Sequence, residues 1–161
     1  MRREQFYRMR HQAFCVEHGY WAVRDDGLET DCYDEHSVPV LVFDGDDLVG
    51  GSRMVLSRPL PIEEAVQLSE CFAGAGEISR TVLVPKYRHS AGAFRTIIRS
   101  TVNIAVEYRL PWIVALLEPS LARYIERYGI ILGSLGPMIE HKGWRRPYGA
   151  VTAQCLAASC V

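Results

Sequence analysis

The stretch from Gly76 to Val84 constrains the fold most, because it is an apolar strand with charged and hydroxylic residues in its first half. The branched apolar residues of its second half are typical of a strand in a buried sheet. Strict alternation of a strand places Glu77, Ser79 and Thr81 on one face. Arg80 then lies on the other face. Burying charges is costly, so the pair is either a structural ion pair at a sheet end or part of a functional site.

The size and charge of the chain narrow the classes of protein that it can represent. A length of 161 residues predicts a single domain over residues 1–161. A net charge of −1 offers no general attraction to nucleic acid. No apolar run reaches the ~18 residues of a membrane span, and the first residues lack the apolar core of a signal peptide. We therefore expect a cytoplasmic protein without an integral membrane segment.

The cysteines favour a reducing compartment. There are five of them, an odd number, and no two have CxxC spacing. This pattern argues against a disulfide framework and against a zinc site. We expect most of them to be small buried apolar residues.

Hydrophobic periodicity divides the chain into alternating helices and strands. The predicted helices span residues 2–18, 62–72, 93–108 and 119–128. The predicted strands span residues 38–43, 48–56, 78–84, 112–117, 130–132, 138–141 and 148–153. Strand–helix–strand units beside a hairpin predict an α/β domain, with a mixed sheet and helices on both faces in three α-β-α layers.

The segment from residue 19 to residue 37 is rich in acidic residues and has no clear periodicity. Asp31 and Asp34 flank an aromatic residue, so an ordered loop would present two carboxylates to a cationic amine. A solvated loop and a metal site are the alternatives, although the EF-hand pattern is absent. Arg10 and Arg53 are either exposed charges or partners of these carboxylates.

Residues 88–93 form a basic loop of small residues between a strand and a helix. Free N–H groups and the positive end of the helix dipole make such a helix start an anion-binding arrangement. Many loops of this composition bind nothing, so the alternative is an ordinary connection.

Several short motifs resemble acyl-homoserine-lactone synthases and related N-acyl amino acid synthases, including acyltransferases of exosortase systems. The first set is Arg10-x-x-x-Phe14, Asp31-x-x-Asp34, Gly51-x-Arg53 and Glu77-x-Ser79-Arg80. The second set is Phe14-Cys15-x-Glu17-x-Gly19-Tyr20, Gly27-Leu28-Glu29-x-Asp31-x-Tyr33-Asp34, Leu117-Glu118-Pro119-x-Leu121-x-Arg123, Gly129-Ile130 and Gly136-Pro137-x-Ile139-Glu140-x-x-Gly143-x-Arg145. The resemblance covers nearly the whole chain and implies an acetyltransferase-like (GNAT) fold with a mostly antiparallel central sheet.

The resemblance also implies a set of site residues. N-acylation by a thioester needs a base to free the amine, and Glu77 is the candidate. Ser79 and Arg80 join it as catalytic residues. The acceptor-binding candidates are Arg10, Phe14, Trp21, Asp31, Asp34 and Arg53. The donor-binding candidates are Val82, Leu83, Val84, Arg88, Ser90, Gly92 and Ala93, the first three through backbone N–H groups near the point where the strand splays from residues 112–117. No metal is expected.

Two departures from the family pattern bear on the donor and the acceptor. The glycine of the pyrophosphate loop, Gly92, stands one place later than usual, which favours acyl carrier protein over CoA as the thioester carrier. Tyr20 stands where lactone synthases carry a tryptophan, with Trp21 beside it.

The predicted function is transfer of a fatty acyl group from acyl carrier protein or acyl-CoA to the amine of an amino acid, with no tightly bound cofactor. The alternatives are an acyl-homoserine-lactone synthase using S-adenosylmethionine, an acetyltransferase using acetyl-CoA, and a non-catalytic acyl-binding module. The expected partners are a small-molecule amine and acyl carrier protein. Acyl length, acceptor, the choice of carrier protein or CoA as donor, and oligomeric state stay open.

Overall fold

A computed structural model describes residues 2–159, which form one mixed sheet with helices on both faces. The α-helices are α1 (Arg2–Arg10), α2 (Ala91–Glu107), α3 (Pro119–Glu126) and α4 (Thr152–Ser159). The strands are β1 (Ser37–Asp44), β2 (Asp47–Val55), β3 (Gly76–Leu83), β4 (Trp112–Leu117), β5 (Gly133–Ser134), β6 (Ile139–Glu140) and β7 (Trp144–Val151). Short 3-10 helices span Cys32–His36, Pro61–Glu64, Glu70–Phe72 and Pro85–Tyr87, and α1 continues as a π-helical segment over His11–Glu17.

The sheet has seven strands, and its order is β1-β2-β3-β4-β7-β5, with β6 paired to β7. Only β3 and β4 are parallel; all other neighbours among the described residues are antiparallel. The predicted three-layer α/β architecture with a mostly antiparallel sheet is therefore confirmed.

Alternate residues of β2 bury against different layers, as the period of a strand requires. Met54 packs in a cluster with Val102 of α2 and Cys155 of α4. The next residue, Val55, packs with Leu60 and Ile62 on the opposite face. Helices α2 and α4 thus cover one face, while α1 and the segment 56–75 cover the other.

Helix α1 lies close to the sheet because β2 has a glycine beneath it. A Cβ atom on Gly51 would lie 2.6 Å from the carbonyl oxygen of Val40 and 2.8 Å from the ring of Phe6. This close backbone approach brings the N-terminal helix within reach of β3.

Strand β3 departs from the predicted alternation at Arg80, which has a φ of 56°. The pairing with β2 shifts between Gly51 and Arg53, so β3 carries one extra residue there. A bulge reverses the faces of the residues that follow it. Val82 consequently packs against Phe6 of α1, and the prediction that Glu77, Ser79 and Thr81 share one face is wrong from the bulge onward.

Three other predictions of secondary structure are wrong. The predicted helix at 62–72 is two 3-10 turns joined by an irregular segment, because its apolar residues must all reach the sheet below. The predicted strand at 130–132 is absent, and the pairing begins three residues later, at Gly133–Ser134. The last strand begins at Trp144 rather than at residue 148 and gives way at Thr152 to helix α4, which the sequence reading missed.

No helix among residues 2–159 is long and apolar enough to cross a membrane. Four described cysteines are free thiols, of which Cys15 and Cys155 are buried while Cys32 and Cys71 are exposed. The expectation of burial therefore holds for half of these four, and Cys160 lies outside the described residues.

Candidate active site

A cleft opens in the middle of the sheet, where β3 and β4 separate. The two strands pair only at Gly76 with Ile113 and at Glu77 with Val114. Beyond these pairs β3 stays with β2 and β4 stays with β7. The expected splay is therefore present, and it encloses a cavity of about 550 Å³.

The cavity passes between the two layers, so its two ends differ in chemistry. Its apolar end lies under helices α2 and α3 and is lined by Phe94, Ile97, Ile98, Leu121 and Ile125. Its polar end lies under the N-terminal segment and the loop between β6 and β7, and is lined by Trp21, Asp31, Tyr33, Glu64, Arg80, His141, Lys142 and Arg145. Such a cavity suits a ligand with an apolar chain joined to a polar head.

Glu77 lies at the root of the cleft and is 3% exposed. One of its carboxyl oxygens accepts a hydrogen bond of 2.6 Å from the N–H of Ile62. Burial raises the pKa of Glu77 to about 8, against the lowering effects of that bond and of Arg53. A carboxyl group with a pKa near neutral pH can both accept and return a proton, which is the property of a general base.

An ion-pair network beside the cavity ties the N-terminal segment to the sheet. It consists of three guanidinium groups and three carboxylates: Arg10, Arg53, Arg80, Glu29, Asp31 and Asp34. The three positive and three negative charges balance. Buried ions are stable only when they are paired and hydrogen-bonded in this way.

Arg10 is completely buried and bridges two acidic residues. Its Nε donates to Glu29 at 2.5 Å, and its Nη1 donates to Asp34 at 2.6 Å. Burial opposes the charge of this side chain, but the hydrogen bonds to Asp34 and Glu29 raise its pKa overall. Arg10 is therefore a structural anchor of the acidic segment rather than an exposed charge.

The other two arginines come from the neighbouring strands β2 and β3. Arg53 donates from Nη1 to Asp31 and Asp34, and from Nε to the Ser79 hydroxyl at 3.3 Å. Arg80 donates from Nη2 to Asp31 at 2.9 Å and from Nε to the Glu29 carboxylate at 3.1 Å. The left-handed backbone of Arg80 makes this contact possible, because the bulge turns its side chain toward the N-terminal segment.

Asp31 and Asp34 also fix the backbone of their own loop. The Asp31 carboxylate accepts from the N–H of Tyr33 at 3.0 Å, and the Asp34 carboxylate accepts from the N–H of Asp31 at 2.9 Å. This reciprocal capping begins the 3-10 helix Cys32–His36. The two carboxylates are thus fully engaged with arginines and backbone.

Trp21 lies between two cations at the polar end of the cavity. The guanidinium carbon of Arg80 is 4.0 Å from its ring centroid, and the ammonium nitrogen of Lys142 is 3.7 Å from it. Phe14 packs edge-on against the same ring at 6.0 Å. Both aromatic residues predicted for the acceptor site line the cavity.

The residues predicted to bind the donor are only partly brought together. Val82, Leu83 and Arg88 line a smaller cavity of about 250 Å³ that shares Phe14, Thr81 and Phe94 with the first. Val84 packs instead with the cluster beneath α2. Ser90 caps α2 by accepting from the N–H of Ala93 at 3.3 Å, with Gly92 between them in the first turn. Arg88 forms an ion pair with Glu17.

Three residues of the site have no role assigned to them in the sequence analysis. Glu29 and Arg145 occur only as members of the family motifs, although Glu29 contacts both Arg10 and Arg80. Lys142 belongs to neither set of motifs. The distance along the chain hides such contacts: the Lys142 ammonium donates to the carbonyl oxygen of Tyr20 at 3.1 Å, across 122 positions.

A family model described as "Acetyltransferase (GNAT) domain" matches residues 9–97. This range begins at the end of α1 and contains the π-helical segment, the acidic segment, strands β1 to β3 and the first turns of α2. It therefore includes the ion-pair network and Glu77.

Solved structures with a similar fold are acyltransferases of related kinds. The CoA-dependent acyl-homoserine lactone synthase BjaI, solved with SAM and isopentyl-CoA, is 24% identical, with a TM-score of 0.80 over 97% of this chain and 79% of that chain. TofI, solved with an inhibitor and MTA, is 21% identical, with a TM-score of 0.80 over 98% and 90%. FeeM, an N-acyl amino acid synthase from uncultured soil microbes, is 12% identical, with a TM-score of 0.73 over 99% and 92%. At these identities the likeness establishes the fold, and it confirms the resemblance inferred from the motifs.

Proposed function

Since the chain belongs to the acetyltransferase (GNAT) domain family and is an acyltransferase, we propose that it moves a fatty acyl group from a thioester to the amine of an amino acid. The observation that carries this proposal is Glu77, a carboxyl group with a pKa of about 8 on the wall of the cleft cavity. A cavity with one apolar end and one cationic end also suits an acyl chain beside a small polar acceptor.

The reaction places the two substrates at the two ends of the cavity. The acyl chain lies between α2 and α3, and the amine points toward Glu77. Deprotonated Glu77 takes a proton from the acceptor, and the amine nitrogen attacks the thioester carbon. The C–N bond forms, the C–S bond breaks, and the thiolate leaves and is protonated to a thiol. The products are one amide and one thiol, and no oxidant or reductant is needed.

The developing oxyanion needs hydrogen-bond donors. We assign this role to backbone N–H groups of β3 near Val82 to Val84, where β3 has left its pairing with β4. Ser79 supports the site by accepting from Arg53. Arg80 keeps the acidic segment closed over the cavity through Glu29 and Asp31.

The donor lies at the start of α2, where Ser90, Gly92 and Ala93 form the first turn. Arg88 already pairs with Glu17, so it offers less to a pyrophosphate than an unpaired arginine would. This supports acyl carrier protein as the thioester carrier. Its phosphopantetheine arm has a single phosphate at the place where CoA has a pyrophosphate, so it needs fewer cationic contacts. The protein partner in this proposal is thus acyl carrier protein.

The test is a product screen with purified protein. Long-chain and short-chain acyl thioesters, on carrier protein and on CoA, are incubated with pooled amino acids or with S-adenosylmethionine, and new amides are sought by mass spectrometry. We expect a long-chain N-acyl amino acid that disappears with Glu77→Gln. An acyl-homoserine lactone would indicate synthase activity on S-adenosylmethionine instead, and an acetylated amine from acetyl-CoA would indicate a short-chain acetyltransferase. Thioester binding without any amide would leave only an acyl-binding module.

A further inference from the structure

The cations in and beside the cavity fall into two groups with different partners. The first group consists of Arg10, Arg53 and Arg80, whose charges are balanced by three carboxylates within the network; of these three arginines only Arg80 lines the cavity. A ligand carboxylate at Arg80 would have to displace one of these acids. The network therefore closes the site and carries no net positive charge to attract an anion.

The second group is Lys142 and Arg145. Lys142 lies in the turn before β7, and Arg145 lies at the start of β7. Within the described part of the chain, the Lys142 ammonium contacts the Tyr20 carbonyl oxygen and the Trp21 ring but pairs with no carboxylate. The Arg145 guanidinium donates to the Lys142 carbonyl oxygen at 3.2 Å. Among residues 2–159 its one ion-pair partner is Glu118 at 3.9 Å, a residue whose side chain is 51% exposed.

Two further observations describe the electrostatics of this pair. The Nε of Arg145 is buried and has no hydrogen-bond partner among the described residues, and the same is true of Nη2 of Arg53. Burial lowers the pKa of Lys142, the positive charge of Arg80 lowers it further, and the negative charge of Glu64 offsets part of this effect. An anion at this end of the cavity would offset the remaining positive charge.

The backbone holds these two cations in place before any ligand arrives. Lys142 and Gly143 both have positive φ, 53° and 97°, in the tight turn between β6 and β7. The N–H of His141 donates to the carbonyl oxygen of Gly143 at 3.0 Å across the same turn. A ligand therefore meets side chains on a fixed turn, which lowers the entropic cost of binding.

We propose that Lys142 and Arg145 bind the carboxylate of the acceptor, so that the enzyme selects amino acids and discriminates against acceptors with a second positive charge. This inference rests on the proposed N-acyltransferase function and names the acceptor site within it. The acceptor amine then lies toward Glu77, and its carboxylate lies toward the turn between β6 and β7.

The same geometry disfavours S-adenosylmethionine. Its sulfonium cation would enter a space where Arg80 and Lys142 are already within about 4 Å of the Trp21 ring. An aromatic ring attracts a cation through its face, but this ring has two cations bound. The added charge would meet repulsion rather than attraction.

The experiment compares matched acceptors that differ only in the carboxylate. Initial rates are measured with a common acyl thioester and each of the common L-amino acids, its methyl ester and S-adenosylmethionine. We expect the wild-type protein to prefer the free acid. Lys142→Gln and Arg145→Gln should each raise KM for the free acid about 10- to 100-fold, because each removes a charged hydrogen bond. For the ester, kcat/KM should fall far less than for the free acid, so that the ratio of acid to ester drops in both variants.

The controls separate charge recognition from damage to the fold. Lys86, the other lysine of the chain, is exposed, so Lys86→Gln is the matched control and should behave as wild type. Lys142→Arg should retain the preference for the acid. Thermal melting of every variant checks folding.

The outcomes separate this inference from the function on which it rests. If no amide forms with any acceptor, the proposed function fails, and this inference fails with it. If amides form but the ratio of acid to ester is the same in the wild type and in both glutamine variants, the carboxylate site is refuted while the function stands. Efficient turnover of S-adenosylmethionine by the wild type would also overturn the inference.

Discussion

The substitution Glu77→Gln should change how the stability of the protein depends on pH. Glu77 is 3% exposed and pairs in the sheet with Val55 and Val114. Glutamine has nearly the same shape, and its amide oxygen can accept the N–H of Ile62 as the carboxyl does. It cannot ionise, so the comparison isolates the cost of charging this one buried group.

The magnitude follows from the two pKa values. Burial raises the pKa of Glu77 from 4.5 to about 8 in the folded protein. Between these values the folded state holds a proton that the unfolded state has released. The free energy of unfolding of the wild type then falls by about 1.4 kcal/mol per pH unit. From pH 4.5 to about 8 the total loss is about 5 kcal/mol, a large part of the stability of a domain of this size.

The assay is urea unfolding of both proteins at half-unit steps from pH 5 to pH 9. Pairwise subtraction removes the contribution of every other titrating group. The stability of Glu77→Gln relative to wild type should rise steadily to about pH 8 and stay level above it. A difference that is constant across the range, with equal m values for the two proteins, would refute a raised pKa at this position.

Glu63 provides a matched control with the opposite sign. The hydrogen bond from Arg58 is the largest of the effects that set its pKa, which is lowered from 4.5. Ionised Glu63 therefore stabilises the fold above pH 4.5, its pKa in the unfolded state. This stabilisation is lost only as the pH falls through the lower pKa of the folded state. Glu63→Gln should consequently give a difference that does not vary between pH 5 and pH 9.

The pH dependence of the reaction rate should also report the ionisation of Glu77. If Glu77 is the base, kcat/KM of the wild type rises with pH to a midpoint near 8 and then levels. Glu77→Gln should abolish most of the activity at every pH. Activity of the variant equal to wild type would assign the base elsewhere, even if the stability result holds.

Three further predictions concern the fold and the two ends of the cavity. Arg10→Met leaves the Glu29 and Asp34 carboxylates buried without this donor, so it should cost about 3–5 kcal/mol in urea unfolding; a loss below 1 kcal/mol would contradict the network as described. Gly51→Ala places a methyl group 2.6 Å from a carbonyl oxygen, so it should cost about 1–3 kcal/mol, and an unchanged melting temperature would contradict that clash. Ile98→Phe reduces the apolar end of the cavity and should shift the products to shorter acyl chains. An unchanged product distribution in mass spectrometry would place the chain elsewhere.

The sequence pattern predicts an element correctly where its residues have only to pack against one layer of the fold. The hairpin of β1 and β2, the apolar strand β4 and the amphipathic helix α2 were all predicted from alternation, periodicity and turn residues. Their apolar residues pack in the layers where the period places them. The family motifs were equally informative about the cleft, since Glu77 and the acidic loop do meet there.

The failures occur where a distant part of the chain determines the local structure. Residues 62–72 follow Pro61 and carry two glutamates in their first turn, as a helix would, but Leu60, Ile62 and Leu68 must all reach the same sheet face. Helix α4 is a different failure, because its alanines are strong helix formers that the strand prediction for residues 148–153 overlooked.

The sequence predicted which residues lie in and beside the site better than it predicted which of them contact each other. Arg80 was expected on the wrong face because a bulge cannot be seen in a pattern of alternating residues. Lys142 carries no local sign of function, and Arg145 stands in a family motif that assigns it no role. Their role depends on the fold bringing the turn between β6 and β7 to the N-terminal segment.

That last contact has a consequence for the order in which the protein assembles. The hydrogen bond from Lys142 to Tyr20 joins residues 122 positions apart, so its formation closes most of the chain into one loop. Closing a long loop costs entropy that local contacts do not, and such contacts tend to form late in folding. We therefore predict that the acceptor end of the cavity is completed late in folding. A low concentration of urea should break the contact between Lys142 and Tyr20 and end turnover. Circular dichroism should show that the sheet is still intact under these conditions.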